Sequence, residues 1–271
     1  MSATEFDAYE RNIWAGRAAA YARSYAKLCA HTVPLLLDAA KVGDGTRVLD
    51  AGTGPGTLAA AACARGAVVA AVDAEPGMVD LAAKAAAGAD VRLATLPDLP
   101  FEDGSFDAAL SNFVINHVGR PVEVVAELRR VTRPGGLVAV TIWGFPGASG
   151  QQLNSRALEA GGAVRPPDVP SGPAPQDDFA RTDEGFAELL TRAGLTDVHA
   201  EYVCWDHRAT ADEWWSGPAG GVATSGRILL SQTAEIAAEI KRNFDAISAE
   251  FLAEDGLLAL PHKAILAVGR A

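Results

Sequence analysis

The sequence lacks several features that mark specialised classes of protein. It has no Cys-x-x-Cys pair and an odd number of cysteines, so it predicts no zinc site and reduced, mostly buried thiols at Cys29, Cys63 and Cys204. It has no basic patch and a net charge of -11, which argues against electrostatic binding of nucleic acid. No apolar run approaches the roughly 20 residues of a membrane span. The acidic segment Met1–Asp7 lacks the apolar core of a signal peptide.

These absences favour a soluble, cytoplasmic protein with no bound metal, no nucleic-acid partner and no membrane contact. The chain has 271 residues, of which 49% are hydrophobic. That is enough for one large folded domain, or for one domain with a small appendage. The sequence shows no internal repeat.

The segment Val48–Leu58, VLDAGTGPGTL, is the most informative part of the chain. An apolar strand leads into Asp50, then into glycines at alternate positions, then into an alanine-rich helix. This order predicts a bare backbone turn at the carboxyl end of a strand, where nucleotide-like ligands bind in open α/β sheets. The dinucleotide fingerprint G-x-G-x-x-G requires a glycine where this chain has Thr57. The turn by itself therefore indicates a nucleotide-like cofactor but fits several of them.

Strands and helices alternate from Arg47 to Trp143 with short turns between them, which is typical of βαβ units and a parallel sheet. The predicted strands are Arg47–Asp50, Val68–Val72, Asp90–Ala94, Phe106–Ser111 and Leu137–Trp143, with further strand-like segments at Val198–Trp205 and Ala264–Val268. The predicted fold class is therefore α/β, with a doubly wound, mostly parallel sheet.

Helical segments flank this core. Tyr21, Tyr25 and Leu28 recur at helical spacing, and the whole of Phe6–Ala40 is predicted to be helical. We predict a helical cap over residues 1–40 and a main domain over residues 41–271. Within the main domain, residues 144–180 and 206–252 are predicted insertions that form a lid, the second containing a helix over Leu229–Leu252. The first insertion is rich in glycine and proline.

Two aspartates follow the first two strands. Asp50 ends the first strand beside the glycine turn, and Asp73 ends the second. A carboxylate in the second position can accept two hydrogen bonds from a ribose diol, and its charge disfavours a 2′-phosphate. The alternative is that both residues only cap their turns. Their combination with the glycines favours ligand binding.

Four segments in register resemble the successive motifs of class I S-adenosylmethionine-dependent methyltransferases, with the ubiquinone/menaquinone-biosynthesis type as the most similar subgroup. They are Val48–Leu58, Ala71–Met78, Leu99–Phe101 with Ser105–Asp107, and Leu128–Trp143. The resemblance covers about residues 40–145 and implies a Rossmann-like fold with a seven-stranded sheet. It also implies S-adenosylmethionine as the cofactor.

The resemblance implies roles for residues at the matching positions. Asp50, Gly52, Thr53 and Gly54 would surround the methionine part of the cofactor, Asp73 and Ala74 the ribose, and Met78, Thr95 and Leu96 the adenine. Ser111 and Asn112 would present backbone groups to the reactive sulfonium. Apart from the resemblance, Tyr21 and Tyr25 are candidates to close over the cofactor from the amino-terminal helix, or else they only pack that helix on the sheet. Met78 is otherwise an ordinary core residue.

His117 is the candidate general base, because it follows the fourth strand at the carboxyl edge of the sheet and an acceptor hydroxyl must lose a proton. Its alternative role is that of a helix-start histidine. Trp205, Trp214, Trp215, Phe145 and Phe179 are candidates for an apolar acceptor pocket, or else ordinary core residues.

The predicted function is methyl transfer to a small apolar or aromatic molecule by a monomer or homodimer. One alternative is a protein that binds S-adenosylmethionine without transferring its methyl group. A nicotinamide-dependent oxidoreductase is a further alternative, which Thr57 and the lack of a hydride-transfer site disfavour.

Overall fold

The computed structural model describes residues 4–271, so Met1–Ala3 and the expectation for that acidic start lie outside the described residues. Seven strands form one sheet in the order β3-β2-β1-β4-β5-β7-β6. They are β1 (Arg47–Ala51), β2 (Val68–Asp73), β3 (Asp90–Leu93), β4 (Phe106–Asn112), β5 (Thr132–Trp143), β6 (Thr196–Ala209) and β7 (Leu258–Arg270). Strands β1 to β5 run parallel, while β7 runs antiparallel to both β5 and β6. The predicted seven-stranded, mostly parallel sheet is confirmed.

Helices cover both faces of the sheet. They are α1 (Glu5–Trp14), α2 (Ala18–Arg23), α3 (Ala26–Cys29), α4 (Val33–Ala39), α5 (Thr57–Ala64), α6 (Pro76–Ala85), α7 (Pro121–Val131), α8 (Leu153–Ala160), α9 (Asp183–Arg192), α10 (Ala211–Ala219), α11 (Ala223–Leu230) and α12 (Ala234–Ser248). Neighbouring residues of β1 show the two layers. Leu49 belongs to an apolar cluster with residues of α7 and α9, whereas Val48 belongs to another with residues of α4 and α5. Such near-continuous apolar strands are expected for a sheet buried on both faces.

The amino-terminal segment is not the single helix that its periodicity predicts. It consists of α1 to α4 with a short 3-10 turn at Ala30–Thr32. Gly16 has φ +70°, in the left-handed region that ends a right-handed helix, and its N–H donates to Oε1 of Glu75 at 3.2 Å. The break allows α1 and α2 to cover different parts of the same edge of the sheet.

The carboxyl-terminal region differs from its prediction in two ways. The predicted helix over Leu229–Leu252 is divided into α11 and α12, because Thr233 caps a new helix by accepting a hydrogen bond from the N–H of Ile236. Strands β6 and β7 are much longer than predicted, since they pair with each other from Thr196–Arg270 to Ala209–Leu258. Pairing between distant segments leaves little local signal.

The two predicted insertions pack against each other. Helix α8, from the first insertion, packs on α12, from the second, and Leu153, Phe244 and Trp214 belong to one apolar cluster. Helix α10 also contacts α2 of the amino-terminal segment. This cluster therefore lies beside the carboxyl edge of the sheet, where β5 ends and β7 begins.

The cysteine prediction is partly wrong. All three thiols are free, and Cys29 is buried as expected, but Cys63 is only half-buried and Cys204 is exposed. Cys204 is exposed because β6 is the edge strand of the sheet.

Candidate functional site

A cavity of about 560 Å³ lies at the carboxyl ends of the parallel strands. The predicted residues that line it are Tyr21, Gly52, Gly54, Asp73, Ala74, Met78, Thr95, Leu96 and His117. Asp50 and Thr53 instead line a recess of about 40 Å³, which shares Tyr21, Gly52 and Gly54 with the cavity as walls. Asn112 lines both, so of the residues predicted to hold the cofactor or act as the base, Ser111 alone lines neither the cavity nor the recess.

Each of the three glycines of the turn is required for a different physical reason. At Gly54, which has φ +54°, a Cβ would point toward open space and have Tyr21 Cε1 as its neighbour at 3.8 Å. At Gly56 a Cβ would lie 2.7 Å from Cα of Ala82, so this glycine permits α5 to pack on α6. A Cβ at Gly52 would meet Val114 at 2.3 Å. Only Gly54, of these three, keeps space free for a ligand.

Asp73 ends β2 with its carboxylate fixed by backbone donors. The N–H of Gly54 donates to Oδ2 at 2.8 Å, and the N–H of Glu75 donates to Oδ1 at 3.0 Å. Burial raises the pKa of Asp73, against the lowering effect of these hydrogen bonds. Each oxygen retains a lone pair, so the carboxylate can still accept hydrogen bonds from a ligand in the cavity.

Asp50 is buried, with 1% of its surface exposed. Its Oδ2 accepts a hydrogen bond from the hydroxyl of Thr53 at 2.7 Å, while Oδ1 has no hydrogen-bond partner in the part of the chain that the structure describes. Burial raises the pKa of Asp50 to about 7. A cationic donor bound in the recess would satisfy this oxygen and favour the ionised carboxylate.

Met78, Thr95 and Leu96 line another wall of the cavity with Ala74. Met78 is 4% exposed in the first turn of α6, where its N–H donates to Oε2 of Glu75 at 2.8 Å. These residues follow β2 and β3, so the turns after neighbouring strands supply them, as expected for a ligand at the carboxyl edge of an α/β sheet.

The prediction for Ser111 concerned its backbone groups, near the end of β4. Its side chain is fully buried, its hydroxyl donates to the carbonyl of Ala51 at 2.8 Å, and it lines neither the cavity nor the recess. The next residue, Asn112, lines both. Its Oδ1 accepts hydrogen bonds from Thr141 at 2.6 Å and from Thr32 at 2.7 Å, which fixes the amide at the end of β4.

Phe113 adds a strained backbone at the same place. Its φ of +60° lies in the left-handed region, which costs a residue with a Cβ about 1–3 kcal/mol. Its N–H donates to the hydroxyl of Thr141 at 3.0 Å, and its ring stacks on Trp143 with the centroids 3.9 Å apart. These contacts hold the chain where it turns into the cavity wall.

His117 is held by residues of α1 that the sequence analysis missed. Nδ1 of His117 lies 2.9 Å from Oε2 of Glu10, and Glu10 also accepts a hydrogen bond from the indole N–H of Trp14 at 3.1 Å. The Trp14 ring meets the imidazole edge to face at 5.4 Å. With a proton on Nδ1 facing the carboxylate, Nε2 has a free lone pair and can act as a base. No sequence spacing links Glu10 to His117.

The opposite half of the cavity, which we call the acceptor half, is mostly aromatic and apolar. It is lined by Tyr25, Leu28, Trp143, Asn154, Trp214 and His262. Of the five aromatic residues predicted for an acceptor pocket, only Trp214 lines the cavity. Trp143 and His262 were missed, although Trp143 ends a predicted strand at the same edge of the sheet as Asp50.

The other four predicted aromatic residues have structural contacts elsewhere. Trp205 stacks on His31 at 4.6 Å, Trp215 packs on Phe244 at 4.9 Å, and Phe179 stacks on Phe186 at 5.9 Å. Phe145 is 73% exposed. Their placement in a pocket is corrected, because aromatic composition does not show which face of an element a ring occupies.

Residues 4–271 offer neither a metal site nor a membrane-spanning helix. No group of three or more His, Cys, Asp or Glu side chains is arranged to hold a metal ion. None of the helices in that range combines the length and the apolar character needed to cross a bilayer.

Comparison with known proteins supports the family resemblance. A protein-family model described as "Methyltransferase domain" matches residues 49–140. An uncharacterized methyltransferase of Mycobacterium avium is 39% identical over 132 residues, which is 45% of this chain and 52% of that protein. A demethylmenaquinone methyltransferase of Clavibacter sepedonicus is 40% identical over 105 residues, covering 38% of this chain and 43% of that protein. The chain spans about half the length of these relatives.

The fold is also found among solved structures. The YcgJ protein of Bacillus subtilis matches with a TM-score of 0.57 and 21% identity, over 89% of this chain and 97% of that one. The family model covers residues 49–140 alone. The structural match covers most of the chain, so the similarity of fold reaches well beyond that range. Residues 49–140 therefore match a methyltransferase domain, and the comparisons support the resemblance to class I S-adenosylmethionine-dependent methyltransferases.

Proposed function

We propose that the protein transfers a methyl group from S-adenosylmethionine to a small, uncharged, apolar or aromatic acceptor. The observation that carries this proposal is the continuity of the cavity, which joins Gly54 and Asp73 at one end to Trp143 and Trp214 at the other. Its volume of about 560 Å³ lies in the usual range for small-molecule sites.

The residues at the glycine turn fit S-adenosylmethionine. Space is free beside Gly54, and Oδ1 of Asp50 is buried without a partner among the described residues. We assign the ribose hydroxyls to the carboxylate of Asp73 and the ammonium group to the surroundings of Asp50. A buried acceptor without a donor is costly, so ligand binding at Asp50 relieves a defect that the free protein carries.

Met78, Thr95 and Leu96 are assigned to the adenine, because they line the cavity beyond Asp73. Ala74 is assigned to the ribose with Asp73, and Tyr21 to closure over the turn, since its ring faces Gly54. Thr53 acts indirectly, through its hydrogen bond to Asp50.

When bound, the sulfonium supplies an activated methyl group, and the chain has to align the acceptor and exclude water. Helix α1 contributes to both by lining the cavity with Glu10 and Trp14. We assign His117 as the base for an acceptor hydroxyl. Glu10 orients the imidazole through Nδ1 and stabilises the positive charge that the ring gains with the proton on Nε2.

The charges that line the cavity favour an acceptor without negative charge. Asp7, Glu10, Asp73 and Glu75 all line it, and Arg11 is the sole lysine or arginine among the described residues that do so. A phosphate or carboxylate on the acceptor would be repelled in a partly desolvated site. The acceptor half offers aromatic surface instead, which suits a flat apolar molecule.

Titration calorimetry with S-adenosylmethionine, S-adenosylhomocysteine and NAD tests the cofactor assignment. We expect both sulfur compounds to bind and NAD not to bind. A screen of neutral metabolites with methyl-labelled S-adenosylmethionine then tests transfer. Binding of the cofactor without transfer to any acceptor would favour a binding protein, and failure to bind S-adenosylmethionine and S-adenosylhomocysteine would refute the proposal.

A further inference from the structure

His262 is a buried histidine in the acceptor half of the cavity that the mechanism above does not use. Its side chain is 2% exposed and lines the cavity near the start of β7. The ring lies among three tryptophans, with centroid distances of 5.3 Å to Trp214, 5.7 Å to Trp205 and 5.9 Å to Trp143. The imidazole is therefore a polar group with aromatic rings on several sides.

The hydrogen bond at Nδ1 fixes the tautomer. Nδ1 lies 2.7 Å from the carbonyl oxygen of Leu260, and a carbonyl can only accept a hydrogen bond, so the proton is on Nδ1. Burial lowers the pKa of His262 to about 4, which keeps the ring neutral at physiological pH. Nε2 thus carries a lone pair.

This lone pair is not used within the part of the chain that the structure describes. The single hydrogen bond of the imidazole there is the one from Nδ1 to Leu260. His262 lines the cavity, so a ligand that donates a hydrogen bond to Nε2 would gain affinity there. A purely apolar ligand would leave Nε2 without a donor.

We propose that Nε2 of His262 accepts a hydrogen bond from the methyl acceptor and so selects a neutral, flat molecule that carries an O–H or N–H donor. This inference rests on the proposed function, because it assigns the acceptor to the cavity half opposite the cofactor. His262 is distinct from His117, whose Nδ1 is paired with Glu10 on α1.

His207 provides a matched control. It lies across from Leu260 on the neighbouring strand β6, its ring is 6.1 Å from that of His262, and burial lowers its pKa as well. It is 9% exposed but does not line the cavity. A general effect of removing a buried histidine from this region should therefore appear in variants of both residues. An effect of lost contact with the acceptor should appear in variants of His262 alone.

The experiment compares pairs of probes that differ only in the donor. One pair is 4-ethylphenol and 4-ethylanisole, and the other is indole and 1-methylindole. Calorimetry with S-adenosylhomocysteine at saturation gives the dissociation constants for the wild type and for His262→Phe, His262→Gln and His207→Gln. The first pair reports an O–H donor and the second an N–H donor.

In the wild type we expect at least one donor probe to bind about tenfold more tightly than its methyl-capped partner. His262→Phe should remove this preference while leaving the affinity for the capped probe within about threefold. His262→Gln should keep part of it, because the amide can donate to Leu260 and still offer an oxygen. His207→Gln should keep all of it.

The proposal is overturned if the wild type shows no preference for a donor, if His262→Phe retains the preference, or if His207→Gln loses it. It is also overturned if His262→Gln behaves like His262→Phe. A protein that fails to bind S-adenosylhomocysteine refutes the proposed function and this inference with it. Normal binding of S-adenosylhomocysteine without donor preference refutes the role of His262 alone.

Discussion

The two ends of the cavity are built in different ways. The cofactor end comes from successive strand–helix turns, and backbone groups there fix the functional side chains, as the N–H groups of Gly54 and Glu75 fix Asp73. The acceptor half is assembled from Tyr25, Trp143 and His262, which are far apart in the sequence, and its polar groups are surrounded by rings. The first end is determined by local sequence order, and the second by how distant segments pack.

The largest expected effect lies where the two ends meet. If His117 is the base, His117→Ala should lower the rate of methyl transfer roughly 10²–10⁴-fold without changing the affinity for S-adenosylhomocysteine. Single-turnover kinetics with an acceptor found by screening would measure the chemical step. Glu10→Gln should give a smaller loss, because it keeps a hydrogen-bonding group but removes the charge that stabilises the protonated ring. A loss below tenfold for His117→Ala would assign the residue a positioning role.

The two ends should also respond to pH with opposite signs. The pKa of Asp50, raised to about 7 from 3.8, means that the native state keeps a proton that the unfolded chain has lost. The protonated Asp50 contributes fully to the free energy of unfolding below pH 3.8. As the pH rises from there to about 7, up to about 4 kcal/mol of this contribution is lost. The pKa of His262, lowered to about 4 from 6.5, makes the unfolded chain bind the extra proton, so this contribution is lost as the pH falls through the same interval.

Urea denaturation of the cofactor-free protein at about pH 5 and about pH 7.5 would separate the two contributions. Relative to the wild type, Asp50→Asn should become more stable as the pH rises, and His262→Gln should become less stable. Parallel pH dependences for the wild type and both variants would contradict the assignment of buried titrating groups to the two ends.

Asp73→Ala should weaken S-adenosylhomocysteine binding by about 1.5–3 kcal/mol, because hydrogen bonds to a charged group are lost. Asp80→Ala is the matched control, since Asp80 is exposed on α6 and does not line the cavity. Calorimetry on both variants would measure the difference. An unchanged dissociation constant for Asp73→Ala, or equal losses in the two variants, would refute the ribose assignment.

The smallest effect is expected at Phe145, which is 73% exposed and outside the cavity. Phe145→Ser should change the free energy of unfolding by no more than about 0.5 kcal/mol and leave acceptor affinity unaltered. Denaturation and probe binding would measure both. A clear loss of acceptor affinity in Phe145→Ser would show that Phe145 contacts the acceptor after all, against its position outside the cavity.

This difference between the two ends explains what the sequence could and could not predict. Asp50, Gly54 and Asp73 could be found because a strand, a turn and a helix follow one another within a few residues, and their local order is enough. The break at Gly16 was missed, since the apolar periodicity on either side of it masks the backbone reversal. Glu10 and His262 carry no local signal, because one depends on how α1 packs against the turn that follows β4 and the other on how β7 packs among three tryptophans.

A crystal structure of the complex with S-adenosylhomocysteine tests the central claim most directly. We predict that the ribose lies on the carboxylate of Asp73 and the amino group in the recess beside Asp50, with the space between Trp143 and His262 left free for the acceptor. A ligand bound between Trp143 and His262, or one that makes no contact with Asp73, would contradict the division of the cavity into a cofactor end and an acceptor half.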